Sequence, residues 1–421
     1  MSDWAIDQLA DLVHIQKGKK VETSEFQLPG YDAYLGASSL AGVNNTYASI
    51  HLSITANEND VLMLWDGERS GLVGHNLKGI VSSTVAKLSP NGKIISTLLY
   101  YYLLHSFEWI QNRRTGTGVP HVPKDLVRIL KLRYPKEKKY QKKISVILEK
   151  IDQSIKKTEA LIHKYQQIKA GLMHDLFTRG VTADGKLRPP REQAPDLYKK
   201  TPIGWIPKGW EAKRLGNILE DSGSYLQTGP FGSQLHAHEY TYEGVPVVMP
   251  QNINDGKIDS TDIARIPEKR AQILYKHRLK IGDIIISRRG ELNRAAAVTE
   301  IEKTWVCGTG CFLLRSGGSK LDSTFFSYIY SHDIVQRQIA GLAVGSTMPS
   351  LNNTVMNVLY FPCVEKNEQK RISERLKIVE QHIEALFEQK FKLLKQKSGL
   401  MEDLLTGKVQ VKTNQEEPCH V

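Results

Sequence analysis

Residues 144–176 read ISVILEKIDQSIKKTEALIHKYQQIKAGLMHDL. Stepping alternately by four and three collects Ile144, Leu148, Ile151, Ile155, Thr158, Ile162, Tyr165, Lys169, Leu172 and Leu176. Eight of these ten are apolar or aromatic, which is the a/d seam of a coiled coil rather than the wider apolar face of a globular surface helix. Adding 228 to each number gives Ile372, Leu376, Val379, Ile383, Leu386, Lys390, Leu393, Lys397, Leu400 and Leu404, again eight apolar of ten. The lysine that interrupts the seam at 169 recurs at 397. Two helices of equal length and matched seam, each about 50 Å long at about 1.5 Å per residue, are expected to pair with each other.

The match continues outside the helices, in order along the chain. WAIDQLADL from Trp4 meets WEAKRLGNI from Trp210, 206 residues on. NDVLMLWDG from Asn59 meets GDIIISRRG from Gly282 at 223, and STLLYYYL from Ser96 meets STFFSYIY from Ser323 at 227. GTGVP from Gly116 meets GSTMP from Gly345 at 229, LRYP meets LYFP at 227, and GLMHDLFTRG meets GLMEDLLTG at 228. The offset grows through the globular part and then holds, so the second copy carries insertions in its globular part. The chain therefore reads as a tandem duplication. The first head is 1–134, with strand-like runs at 61–65 and 81–88 and a helix-like run at 94–112; the first seam helix is 135–180. A linker rich in proline and charge fills 181–204. The second head, 205–362, has strand-like runs at 245–249, 284–287 and 312–314 and a helix-like run at 325–338. The second helix is 363–407, stopping at Gly407 as the first stops at Gly180, and 408–421 is a loose tail. The expected fold is α+β, with two mixed α/β heads alternating with two helices that pair antiparallel in pseudo-two-fold symmetry.

A chain of 421 residues with 40% hydrophobic and 24% charged residues has the composition of a soluble globular protein. It has no apolar run of eighteen, and its start, MSDWAIDQLADL, lacks the basic-then-apolar pattern of a signal peptide. Four cysteines, Cys307, Cys311, Cys363 and Cys419, are too few for a disulfide framework, so a cytoplasmic location is expected. The net charge of +12 favours a polyanionic partner, nucleic acid first. Between Lys131 and Lys169 twelve Lys or Arg face four acids, which we read as a solvated helix face.

No P-loop occurs, and the Gly116 loop lacks the third glycine and the βα context of a dinucleotide fingerprint. There is no Asn- or Asp-Pro-Pro-aromatic motif of amino-methyltransferases and no spaced acid-x-Lys of a metal nuclease. Cys307 and Cys311 have no second ligand pair, since His332 and Cys363 are distant in sequence, and His236 and His238 read as a solvated loop; no metal site is expected. The chain reads as a binder with no catalytic residue and no cofactor of its own.

Two basic heads on a stiff spacer suit duplex DNA, whose equivalent groove faces recur every 34–36 Å or so. Each head would read a few base edges, and the diverged heads imply an asymmetric, bipartite target. Base reading requires bidentate donors such as Arg for guanine and Asn or Gln for adenine. In the first head the loop HIQKGKK supplies Lys17, Lys19 and Lys20; Arg69 follows a glycine turn, and Arg113, Arg114 and Thr117 flank or enter the glycine loop. In the second, SRRGELNR supplies Arg288, Arg289, Asn293 and Arg294, with Gln251 and Asn252 in a polar turn and Gln234 after Gly-Pro-Phe-Gly. A scaffold joining two protein-binding heads, with no DNA reading, is the alternative.

Taken together, TPIGWIPKGWEAKRLGNI from Thr201, GDIIISRRG, GSTMPSLNNTVMNVLYFPCVEKNEQKRI from Gly345, KQKSGLMEDLLTGKV from Lys395 and their first-half counterparts resemble the DNA specificity subunit of type I restriction–modification enzymes. The resemblance covers nearly the whole chain. It implies that the heads are target recognition domains and that the paired helices face two methyltransferase (modification) subunits, with restriction/translocase subunits recruited as well. S-adenosylmethionine, ATP and Mg would belong to those partners. The first head departs from the pattern by lacking the IPKGW lead-in.

Overall fold

The computed structural model describes residues 3–116, 118–317, 321–342 and 350–412. The chain forms two compact units, one of Met1–Leu161 with Leu386–Val421 and the other of Ile162–Ala385. Each unit is one head together with a half of both long helices, Lys138–Arg179 and Lys366–Thr406.

In the first unit a four-stranded antiparallel sheet has the spatial order Val13–Lys17, Val85–Pro90, Val61–Leu64, Val73–His75. Its middle strand is the apolar run VLML, buried at all four positions, as a strand covered on both faces requires. A second sheet carries a parallel pair, Tyr31–Leu35 with Gly79–Val81, and Trp4–Gln8 pairs antiparallel with Lys131–Pro135. The second unit repeats this plan. Its four-stranded sheet has the order Tyr225–Thr228, Cys311–Arg315, Ile284–Ser287, Ala295–Ala297. Val245–Val248 runs parallel to Val306–Cys307, and Glu211–Arg214 pairs with Tyr360–Cys363. Both heads thus share the topology of the four-stranded sheet, the parallel pair and the closing antiparallel pair, while among the described residues the second sheet has five strands in the first head and three in the second.

Two sequence expectations need correction. The run 81–88 is two strands, because Ser82-Ser83-Thr84 makes a turn closed by Val85 N–H donating to Ser82 O at 2.9 Å; short hydroxyl side chains favour such local bonding. The helical runs 94–112 and 325–338 each break into two helices, at Ser106 and at His332. His332 is extended and its carbonyl accepts from Val335 N–H, so it ends one helix and starts the next.

The seam residues face inward within each unit. In the first, Ile144, Leu148, Ile155 and Leu404 are buried, and Ile151, Leu386, Leu393 and Leu400 are half-buried. In the second, Ile162, Leu176, Ile372 and Leu376 are buried, and Leu172, Val379 and Ile383 are half-buried. Ile144 and Leu148 with Leu404, and Leu176 with Ile372 and Leu376, belong to the core of their head, so each head is closed by the start of one helix and the end of the other. The pairing is antiparallel. In the first unit Asp152 meets Lys397 at 2.6 Å and Glu159 meets Lys390 at 2.9 Å. In the second, Lys169 meets Glu380 at 2.7 Å and the rings of Tyr165 and His382 stack at 5.7 Å. The lysines that interrupt the seam therefore each find a carboxylate on the facing helix. Two of these carboxylates also accept from a tyrosine of their head: Tyr101 Oη donates to Asp152 at 2.8 Å and Tyr328 Oη to Glu380 at 2.5 Å.

A buried glutamine at the start of each long helix ties it to its head. Gln141 accepts from Ile95 N–H at 3.0 Å and donates to Lys93 O and Pro135 O at 2.9 and 2.7 Å. Gln369, 228 residues on, accepts from Asp322 N–H and donates to Val364 O, both at 2.8 Å. Gln141→Ala removes a buried side chain that bridges three backbone groups, among them the buried carbonyl of Pro135, so a loss of about 1–3 kcal/mol is expected in urea titration. The exposed Gln153→Ala is expected to stay within about 0.5 kcal/mol; equal effects would contradict the bridging role.

The helix ends are matched too. Gly180 (φ +67°) lies against Trp210, where an added Cβ would come within 2.5 Å of the indole, and Gly407 (φ +74°) lies against Trp4 at 3.1 Å. Among the described residues no helix is long and apolar enough to cross a membrane.

Candidate nucleic-acid interface

In the first head three separate segments converge beside the end of the central strand. The strand Val13–Lys17 is followed by Gly18, where a Cβ would sit 2.1 Å from Ser82 O; only glycine permits that backbone approach. After Val61–Leu64 the chain turns through Asp66 and Gly67, and Gly67 N–H donates to Pro120 O at 2.8 Å. His121 forms an antiparallel bridge with Asp66. The Asp66 carboxylate holds Lys17 Nζ at 2.7 Å and His121 Nδ1 at 2.7 Å. Arg114 donates to Glu68 O, and Gln111 Nε2 donates to Ser70 O at 2.5 Å, so the turn is fastened from the helix side as well.

The second head has the same junction. Gly229 follows Tyr225–Thr228, and its Cβ would sit 2.0 Å from Gly308 O. After Ile284–Ser287, Arg289 forms an antiparallel bridge with Ser350, and Leu351 N–H donates to Arg288 O at 3.0 Å. By the alignment of NDVLMLWDG with GDIIISRRG, Asp66 and Arg289 are equivalent, and His121 and Ser350 each follow their glycine loop.

The predicted DNA-binding residues divide between those presented and those engaged. Lys17, Lys19, Lys20, Arg69 and Arg113 are exposed in the first head, Arg113 lying over the Trp109 ring at 3.9 Å. Arg114 is half-buried, with Nε donating to Gln111 O at 2.9 Å. In the second head Gln234, Gln251, Arg289 and Asn293 are exposed, although Gln234 Oε1 accepts from Phe231 N–H at 3.0 Å. Asn252 is buried and accepts from Met249 N–H at 3.0 Å while donating to Asp259 O at 3.2 Å, which makes it a turn residue rather than an exposed reader. Arg294 donates to Asn254 Oδ1 at 2.9 Å and Ile253 O at 3.2 Å and pairs with Glu291 at 2.7 Å. Arg288 donates to Leu351 O at 3.2 Å, and burial, with Arg289 beside it, lowers its pKa. These guanidiniums hold the fold together where they stand. Thr117 and the loop 345–349 lie outside the described residues.

Asp66, His121 and Ser350 were not among the sequence candidates. Their signal was present in the repeat itself: each stands at a matched position of WDG/RRG or GTGVPH/GSTMPS, and the two copies differ there in side-chain chemistry. Of the cysteines, Cys307 and Cys311 are fully buried, their thiol pKa values pushed up by desolvation, and Cys311 Sγ donates to Val248 O at 3.5 Å. Among the described residues no group of three His, Cys, Asp or Glu is placed to hold a metal ion.

The model of the type I restriction modification DNA specificity domain matches twice, at residues 1–169 and 207–396. The chain belongs to that family. It is 30% identical to the type I restriction enzyme MjaVIII specificity subunit of Methanocaldococcus jannaschii, across 97% of this chain and 94% of that protein. It is 24% identical, over 52% of this chain, to the EcoKI specificity subunit of Escherichia coli. Among solved structures, the S subunit from M. genitalium superposes with a TM-score of 0.60 at 17% identity, covering 96% of each chain. A chain from a study of complex assembly in a type I restriction–modification system superposes at 0.54 and 15% identity, covering 96% of this chain and 98% of that one. The two matched segments coincide with the two heads and the greater part of the long helices, so the family's domain is the repeated unit read from the sequence.

Proposed function

We propose that this chain is the non-catalytic DNA-reading subunit of a type I restriction–modification complex. Each head reads one half of an asymmetric bipartite target, and the paired helices set the number of unread base pairs between the halves. The observation that carries the reading is that the two heads share one four-stranded sheet topology and one junction but present different side chains there. A fold kept twice, with its exposed chemistry changed, suits the recognition of two different short sequences. The excess of positive charge supports a polyanionic partner, as do the exposed Lys19, Lys20, Arg69 and Arg289. The subunit works with two modification subunits and with restriction/translocase subunits, which hold S-adenosylmethionine, ATP and Mg; this chain holds none of them and acts in the cytoplasm.

The test is to co-purify the chain with its modification subunits and map methylated adenines by long-read sequencing. The expected result is a bipartite motif in which exchange of the first head changes one half only. A motif that changes throughout, or no motif, would overturn the reading. If Lys19 and Lys20 contact phosphates, Lys19→Ala with Lys20→Ala is expected to lower the slope of log K against log salt by about 2, with little change in base preference. The scaffold alternative predicts no salt-dependent DNA affinity at all.

A further inference from the structure

We propose that three matched side chains make the two half-sites different: Lys17, Asp66 and His121 in the first head, and Thr228, Arg289 and Ser350 in the second. This rests on the DNA-reading function proposed above and names the residues through which it is exercised. The backbone beneath them is held alike in both heads. Gly18 and Gly229 make the same close approach to the strand beyond, and the bridges Asp66–His121 and Arg289–Ser350 are equivalent. The strands leading in, Val61–Leu64 and Ile284–Ser287, are buried at every position. On this common frame the side chain at the turn is a carboxylate in one head and a guanidinium in the other.

The chemistry presented differs accordingly. Arg289 is exposed and offers a planar fork of donors suited to the O6 and N7 of guanine, with the Ser350 hydroxyl beside it. In the first head the Asp66 carboxylate is only 17% exposed, and its two oxygens are taken by Lys17 and His121, whose side chains are 48% and 45% exposed. A bare acid there would repel the phosphate backbone. Paired in this way, Asp66 is a positioning residue that orients a lysine ammonium and an imidazole edge outward. The second head therefore favours guanine at the contacted position, and the first reads through a lysine and a histidine.

The experiment uses the full chain assembled with its modification subunits, with methylated adenines mapped for the unaltered protein and for Arg289→Ala, Arg289→Lys and Asp66→Asn. Arg289→Ala is expected to relax base preference at one position of one half-site by roughly 10- to 100-fold and to leave the other half unchanged. Arg289→Lys keeps the charge but loses the fork, so methylation is retained while the same position relaxes. Asp66→Asn is expected to alter the other half only. The inference is overturned if the Arg289 variants lower methylation uniformly with every base preference intact, or if either substitution disturbs both halves. Absence of a bipartite motif for the unaltered protein would instead overturn the DNA-reading function itself. Co-purification of each variant with the modification subunits separates these results from failed assembly.

Discussion

Glu368→Ala is expected to cost about 3–5 kcal/mol, the largest loss of any single polar substitution we foresee. Glu368 is 5% exposed, near the start of the second long helix, and serves the end of the first. Its carboxylate accepts from Val181 N–H at 2.7 Å and from Arg188 Nη1 and Nη2 at 2.5 and 3.0 Å. Gly180 lies directly against it; a Cβ there would come within 2.3 Å of Glu368 Oε1. Removing the acid leaves a guanidinium that is 19% exposed without its counter-charge and a buried backbone N–H without an acceptor, and both are costly. Replacing both partners, as Glu368→Leu with Arg188→Met, is expected to recover much of the loss, because apolar groups of similar volume need no compensation. Urea unfolding of the single and double variants checks this. A double variant that loses the sum of the singles would show that the pair is not coupled.

The second large effect is acid sensitivity centred on His332. Burial lowers its pKa to about 4, with His174 and Arg337 acting in the same direction and Asp333 opposing. Its ring packs 5.2 Å from that of Phe177, and its Nδ1 accepts from Ile334 N–H at 3.3 Å, which requires the unprotonated nitrogen. Because the folded-state pKa lies below the unfolded value of about 6.5, the unfolded chain binds the proton first as pH falls. Stability contributed by the neutral ring is complete above about pH 6.5 and is lost progressively between there and about pH 4. The total is on the order of 3 kcal/mol at 1.36 kcal/mol per unit of pKa. His332→Phe is expected to flatten this part of the pH profile, whatever its effect at neutral pH. An unchanged slope between pH 6.5 and 4 would refute the assignment.

The duplication, the pairing of the helices and the order of the heads were all legible in the sequence. A 3.5-residue seam and a nearly constant 228-residue offset depend only on residue type and spacing. Gly180 and Gly407 were legible as stops for the same reason. The breaks at Ser82–Thr84, Ser106 and His332 were not: an apolar run looks alike whether or not the Ser82 hydroxyl or the His332 imidazole inside it accepts from the backbone, and the break at Ser106 has no side-chain cap to mark it. Among the candidate readers, residue type alone could not separate Arg289, which is presented, from Arg294, whose guanidinium is bound to a neighbouring turn. Nor could it reveal that Lys169 and Lys397, polar interruptions of an apolar seam, are matched by Glu380 and Asp152. Those partners become visible only once the antiparallel register is known.

The central claim is that one unit, written twice, holds two different readers at a spacing set by its helices. Its most direct test inserts one heptad into each long helix at facing points, after Leu161 and after Phe387, which keeps the a/d seam and adds about 10 Å at 1.5 Å per residue. Methylated adenines are then mapped for the assembled complex. The account predicts the same outer bases separated by a longer gap; an unchanged gap, or altered bases in either half, would contradict it.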